Sequence, residues 1–296
     1  MNEDKKPHLR KFELLLLVVV ILWGTNYPIA KFGISELGGF VFNSIRFITA
    51  SIILSVPFLF RVKWKKIERA DRGRLFQIGI VSSVIYQILF IVGLSMTTAG
   101  NAAIILATSP LWTIILNSWL HKEKIRHSVW FGMGLSLAGI LLIIIGSGKK
   151  LEIGGKDIFG DIITLAAAAF WALNTNLQKP LLTKYSAIQI TFIQFFIGAI
   201  GLTLVAVPSS MELNWSSVPF SYYLSAIVSG SLAIALSNII WSYGIQKLGP
   251  GRTANYGNLV PVVALIASYF ALNENIYFIQ FIGSGLTLLG VWVARR

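Results

Sequence analysis

The sequence predicts an all-α membrane protein of ten transmembrane helices, arranged as two inverted five-helix repeats. Three observations predict it. First, the 296 residues are 55% hydrophobic and 12% charged, about half the ~25% charge of a soluble domain. Second, ten apolar stretches each approach the ~20 residues that span a ~30 Å hydrocarbon core. Third, identities in the first half recur in order in the second. The mean hydropathy of +0.72 agrees and excludes a disordered chain. The absence of cysteine excludes a disulfide scaffold and thiolate chemistry. The three histidines, His8, His121 and His127, all sit near basic runs, so neither a metal centre nor a cofactor is expected. The net charge of +13 lies in short clusters between apolar runs. That is how membrane proteins set their orientation, so the bilayer, not nucleic acid, is the expected partner.

The ten spans read as 12–32, 38–60, 75–96, 99–119, 128–147, 159–178, 187–207, 222–245, 253–271 and 278–294. The first is too long for a signal peptide and lacks a small-residue cleavage site, so it reads as retained. The runs do not alternate, which argues against a membrane barrel. With the N-terminus on one face, only Lys31, Lys149, Lys150 and Lys156 fall in loops on the other, and Arg46 lies within a span. The remaining Lys and Arg residues share the N-terminal face. This bias predicts a plasma (inner) membrane protein with both termini cytoplasmic. Trp64, Trp119, Trp130, Trp215 and Trp292 sit near span ends, as an aromatic belt predicts.

The repeat divides the chain into residues 1–148 and 149–296. Trp23, Asn26, Lys31 and Phe47 recur 148 positions later as Trp171, Asn174, Lys179 and Phe195. After a three-residue insertion the offset is 151. Gly93, Pro110, Glu123, Gly134 and Gly139 then match Gly244, Pro261, Glu274, Gly285 and Gly290. Five spans is an odd number, so the second half enters the membrane upside down. Inverted repeats of this kind are a common construction of secondary transporters.

The residues that carry a resemblance are WGTNYPIAK at 23–31, Arg46, and ATSPLWTIILNSWLHKEKI at 107–125, repeated as LVPVVALIASYFALNENI at 259–276. The whole chain resembles the drug/metabolite transporter superfamily, specifically its ten-span EamA-type branch. The resemblance implies a central cavity lined by spans 1–4 and 6–9, with spans 5 and 10 at the periphery. It also implies export. Gln194 stands where the first half has Arg46, so the symmetry is broken at an ionisable position.

Helical spacing groups Trp23, Asn26, Tyr27 and Ala30 on one face of the first span, and Trp171, Asn174, Thr175 and Gln178 on its counterpart. Amides in hydrocarbon require a partner helix or a wet cavity. The third span offers Tyr86, Gln87 and Phe90, the eighth Asn238 and Trp241, the fourth Asn101, and the ninth Arg252, Asn255, Tyr256 and Asn258. Arg46 is the sharpest single residue, because an arginine at mid-span costs at least ~2.5–3.5 kcal/mol and usually marks a substrate path. It is suited to an anion such as a carboxylate. No Asp or Glu lies in the middle of any span, which disfavours proton-coupled export of organic cations. Pro28, Pro110 and Pro261 are expected bends. The glycines of spans five and ten are expected to dock each span on its own half, or to form a weak dimer of an otherwise monomeric protein.

The expected function is alternating-access movement of a small polar or amphipathic metabolite, an amino acid above others. Its candidate binding residues are Trp23, Asn26, Tyr27, Arg46, Tyr86, Gln87, Asn101, Trp171, Asn174, Gln178, Gln194, Asn238, Trp241 and Tyr256. A sugar, nucleoside or nucleotide-sugar carrier of the same superfamily is one alternative, and a passive channel another. An intramembrane enzyme is disfavoured, since no nucleophile–histidine pair or paired aspartates can be assembled at membrane depth.

Overall fold

The computed structural model describes residues 6–59, 64–121, 127–146, 156–248, 253, 256–257 and 259–294. Among these residues every regular element is a helix. In order they are α1 (Lys6–Leu37), α2 (Gly39–Leu59), α3 (Arg69–Ile80), a π-helical stretch (Val81–Ile85), α4 (Tyr86–Met96), α5 (Ala99–Leu106), α6 (Ser109–His121) and α7 (His127–Gly146). The second half continues with α8 (Lys156–Leu182), α9 (Ala187–Glu212), α10 (Phe220–Val228), a second π-helical stretch (Ser229–Leu236), α11 (Ser237–Leu248), α12 (Val260–Leu272) and α13 (Phe278–Ala294).

Among the described residues, seven stretches are long and apolar enough to cross a bilayer: 12–37, 39–56, 69–96, 99–116, 157–182, 187–212 and 220–244. Three shorter apolar helices, within 127–142, 260–272 and 278–293, occupy the remaining expected positions. The ninth expected segment is short because its continuous helix begins at Val260, with Pro261 in the first turn. Proline suits that position, where its missing N–H is not needed. Arg252, Asn255 and Asn258 lie outside the described residues.

Local sequence explains the joints. Gly38 adopts φ +70°, a left-handed conformation open to glycine. It joins two helices with no loop: its N–H donates to Ile34 O, and its carbonyl accepts from Phe42 N. The fourth expected span is broken between α5 and α6. Pro110 stands second in α6, and the Thr108 hydroxyl folds back onto Ile105 O at 2.7 Å. Pro28, by contrast, sits inside an unbroken α1. The π-helical stretches lie within the third and eighth expected spans, and π segments commonly mark functional places because they displace carbonyls from the regular ladder.

Two groups of helices form the bundle. α1 packs with α10, α11 and α12, α8 packs with α4 and α6, and α5 lies between α8 and α12. α2 lies against α9, and α7 lies against α13. The last contact corrects the expectation for the glycine faces, which join spans five and ten to each other across the halves. A Cβ on Gly139 would strike Gly283 O and Thr287, and one on Gly290 would strike Gly132 O and Ser136. Each helix supplies the groove that the other enters, which is what small residues permit in hydrocarbon.

Several residues touch their own counterparts. Phe47 and Phe195 meet edge to face, with centroids 5.2 Å apart. Trp23 and Trp171 do so at 5.9 Å. The flanks of the bundle are apolar and exposed, with Leu14, Ile21, Ile52, Ile200, Leu204 and Phe270 among them. That is the surface a lipid-facing bundle presents.

Candidate functional site

The polar residues of the spans turn inward. Asn26, Arg46, Gln87, Asn174 and Gln194 are all buried, Arg46 to 1% exposure. An ionised guanidinium that far from water requires compensation. Arg46 finds part of it on its own helix, where Nη1 donates to Asn43 Oδ1 at 2.8 Å. Asn43 in turn donates through Nδ2 to Gln87 O on α4 at 3.0 Å. The guanidinium carbon lies 5.4 Å from the Phe42 ring centroid and 6.0 Å from that of Phe90, within cation–π range. Arg46 Nε and Gln87 Oε1 are buried without a hydrogen-bond partner. A spare donor on Arg46 and a spare acceptor on Gln87, whose backbone is linked to Arg46 through Asn43, are therefore buried, and among the described residues Arg46 has no carboxylate partner.

Next to Arg46 runs a continuous aromatic wall. Tyr27 meets Phe90 at 5.8 Å, Phe90 stacks on Tyr86 at 6.0 Å, and Tyr86 meets Trp171 at 5.1 Å. Trp171 meets Trp23, whose ring lies 4.8 Å from Trp241. The wall thus draws on α1, α4, α8 and α11. Rings offset or edge-on like these gain beyond their buried area, and their faces attract cations. Trp23 is fixed by its indole N–H, which donates to Ala233 O at 3.0 Å. That carbonyl belongs to the second π-helical stretch, which explains how it reaches a neighbouring helix. Asn238 Nδ2 donates into the same stretch, to Ile234 O at 2.8 Å.

The other amides form a separate cluster. Gln178 and Gln194 both donate to Asn174 Oδ1, at 3.0 and 3.1 Å. Asn26 instead accepts from the Ser229 hydroxyl. The first half of the site is therefore charged and incompletely bonded, whereas the second is neutral and internally satisfied. The Arg46–Gln194 exchange makes this difference. Tyr256 is half-buried and packs against the core that contains Tyr27 and Phe90. The Asn101 Oδ1 accepts from Gln280 Nε2 at 3.0 Å, on a helix that supplies none of the wall's rings.

Four contributors were not in the candidate set: Phe42, Asn43, Ser229 and Phe90, the last of which the sequence offered on the third span without carrying it into the set. Asn43 could have been found, since it precedes Arg46 by one helical turn. Ser229 could not, because only the packing of the eighth span brings it to Asn26. A cavity of about 440 Å³ lies elsewhere, among Trp64, Lys65, Lys66, Ile67, Arg72 and Gln189 near the α3–α9 junction. At the candidate site itself the side chains contact one another.

Fold and site define a multi-pass helical membrane protein with a polar, aromatic and singly cationic centre. The chain belongs to the EamA-like transporter family, which matches it twice, over residues 10–145 and 158–296. Its relatives include "Uncharacterized transporter YyaM" of Bacillus subtilis, 28% identical over 95% of this chain and 92% of that protein. Another is the "Probable amino-acid metabolite efflux pump" of Escherichia coli, 25% identical over 96% and 94%. A third is the "Probable terminal-alkyne amino-acid exporter" of Streptantibioticus cattleyicolor, 22% identical over 95% and 92%. A solved chain described as "Crystal structure of protein" superposes with a TM-score of 0.64 at 16% identity, over 96% of both chains. That last likeness speaks to the fold alone. The family is one of transporters, and this chain is an integral membrane member of it.

Proposed function

We propose that the protein exports a small amino-acid-like metabolite by alternating access, through ten spans built as two inverted repeats of residues 1–148 and 149–296. Both termini are cytoplasmic in this reading, and the membrane is the plasma membrane. Arg46 holds the carboxylate through Nε and the adjoining N–H edge of the guanidinium. Gln87 Oε1 accepts from the ammonium, and the wall from Tyr27 to Trp241 covers the side chain. The observation that carries the reading is the pair of buried, unpartnered atoms, Arg46 Nε and Gln87 Oε1. An unmet buried group costs about 1–3 kcal/mol, more when charged, and a zwitterion relieves both at once.

The double family match supports the repeat. So do the contacts between counterparts, since residues that touch their own mates lie near a shared axis. Two relatives carry names that refer to amino-acid export. The test is counterflow in proteoliposomes with labelled amino acids, a sugar and a nucleoside. Saturable amino-acid exchange that Arg46→Ala abolishes is the expected result. Exchange of the sugar or nucleoside alone, indifferent to Arg46→Ala, contradicts the reading.

A further inference from the structure

One end of the bundle carries a set of charges that joins the two helix groups. Glu274, in the loop after α12, accepts from Ala99 N through Oε1 at 3.0 Å and from Gly100 N through Oε2 at 3.3 Å. These are the first amides of α5, where a carboxylate is favoured by unpaired N–H groups and the helix dipole. Lys31, near the end of α1, lies 3.9 Å from Glu274 Oε1. Its ammonium also donates to Thr97 O, just before α5. Thr97 in turn donates from its hydroxyl to Asp161 Oδ1 on α8 at 2.6 Å. So Lys31 and Glu274, from the α1/α10–α12 group, hold the Thr97–Gly100 corner, where α4 meets α5 and α5 lies between α8 and α12. Just beneath them Ala30, Ala99, Ala102 and Ala103 are fully buried or nearly so.

The opposite end differs. Lys179, which stands in the second repeat where Lys31 stands in the first, is exposed, and Gln178 beside it is only partly buried. Residues that the repeat makes equivalent therefore occupy unequal surroundings. A protein with two exchangeable packings shows this when one packing is populated.

We infer that Lys31 and Glu274 are the latch that closes the outward end, and that releasing them moves the protein toward its outward-open state. They are positioning residues, remote from the substrate. The inference rests on the alternating-access reading above, but its test needs no substrate. The latch stabilises one state only, so weakening it shifts the population by the interaction lost.

The chain has no cysteine, so single reporters can be placed freely. Ala30→Cys reports on the Lys31 end and Gln178→Cys on the other. Each is labelled by a membrane-impermeant maleimide in right-side-out and inside-out vesicles. Lys31→Glu, which sets two carboxylates together, and Glu274→Gln, which keeps one helix-capping acceptor, are each expected to raise Ala30→Cys labelling from outside by about fivefold or more. Both are expected to lower Gln178→Cys labelling from inside. Lys31→Arg, which retains charge and donor, is expected to leave both rates near those of the parent. Unchanged labelling at both reporters overturns the inference. A rise at both reporters also overturns it, because general loosening lacks the reciprocal fall. If the labelling shifts while counterflow fails for every solute, the latch stands and the amino-acid reading falls.

Discussion

Ser136 and Thr287 lie 151 residues apart and bind each other reciprocally. The Ser136 hydroxyl donates to Thr287 O at 2.9 Å, and the Thr287 hydroxyl approaches Ser136 O at 3.4 Å. The two positions share a register in which Gly134, Gly139 and their partners Gly285 and Gly290 also match. Contact between a residue and its own mate fastens α7 to α13 without involving the candidate site. This pair is suited to serve as a fixed base while helices elsewhere move.

The first prediction follows from that base. Gly139→Leu places a side chain where Gly283 O and Thr287 already stand. Overpacking of this kind costs about 1–3 kcal/mol or more. Thermal unfolding in detergent is expected to shift downward by a corresponding amount. Gly134→Leu, at a position with open space around its Cβ, is expected to shift it little.

The second concerns Asn43, which holds Arg46 and bridges to α4. Asn43→Leu removes both hydrogen bonds and leaves Arg46 buried with a lost partner, a destabilisation of about 1–3 kcal/mol. Asn43→Asp keeps an acceptor for Arg46 as a carboxylate but loses the donor to Gln87 O, and is expected to be destabilised by about 1 kcal/mol. It then competes with the substrate carboxylate for Arg46. In counterflow with a transported amino acid its KM is expected to rise about tenfold or more. An unchanged KM contradicts the role assigned to Arg46.

The third tests the aromatic wall. Trp23→Phe keeps a ring against Trp171 and Trp241 but removes the donor to Ala233 O. The loss of one such bond, with its acceptor left buried, is expected to cost about 1 kcal/mol. Trp23→Ala removes the ring as well and is expected to cost about 3–5 kcal/mol. The comparison is read by denaturation of the purified protein.

The fourth lies at the membrane boundary. Lys184 pairs with Asp71 at 3.0 Å and with Glu68 at 3.3 Å. Its hydrogen bonds to Asp71, then to Glu68, raise its pKa above the ordinary 10.5. The stability from this raised pKa is fully present below pH 10.5 and is lost as pH climbs through the higher folded value. Asp71→Asn is therefore expected to lower the unfolding temperature at pH 7 and to lower it less at pH 11.

Much of the fold was legible because long apolar runs constrain a chain in lipid to helices. The repeat register paired Trp23 with Trp171 and Phe47 with Phe195, but that such counterparts touch came only from the packing. Arg46 was legible because charge is rare at that depth. Other features arose only from packing between distant elements. The inward contact of α7 and α13 depends on how two glycine faces fit, which one-dimensional spacing does not report. The π-helical stretches, and the carbonyl that Trp23 reaches through one of them, leave no mark in periodicity. Asn101 looked equivalent to the other amides, yet its partner is Gln280 on α13, a helix that supplies none of the wall's rings. Lys31 and Glu274 were visible as members of the repeat, but their meeting at the start of α5 required the fold.

The central claim is that two helix groups exchange closure at opposite ends of one site. Pulsed electron-spin distances test it most directly, because the cysteine-free chain accepts paired labels. One pair is Glu36 with Asn275, at the Lys31 end, and the other is Lys179 with Gln246, at the opposite end. All four are exposed. On addition of a transported amino acid, or in the Lys31→Glu variant, the first distance is expected to lengthen while the second shortens. Distances that both stay fixed, or that change in the same direction, contradict the account.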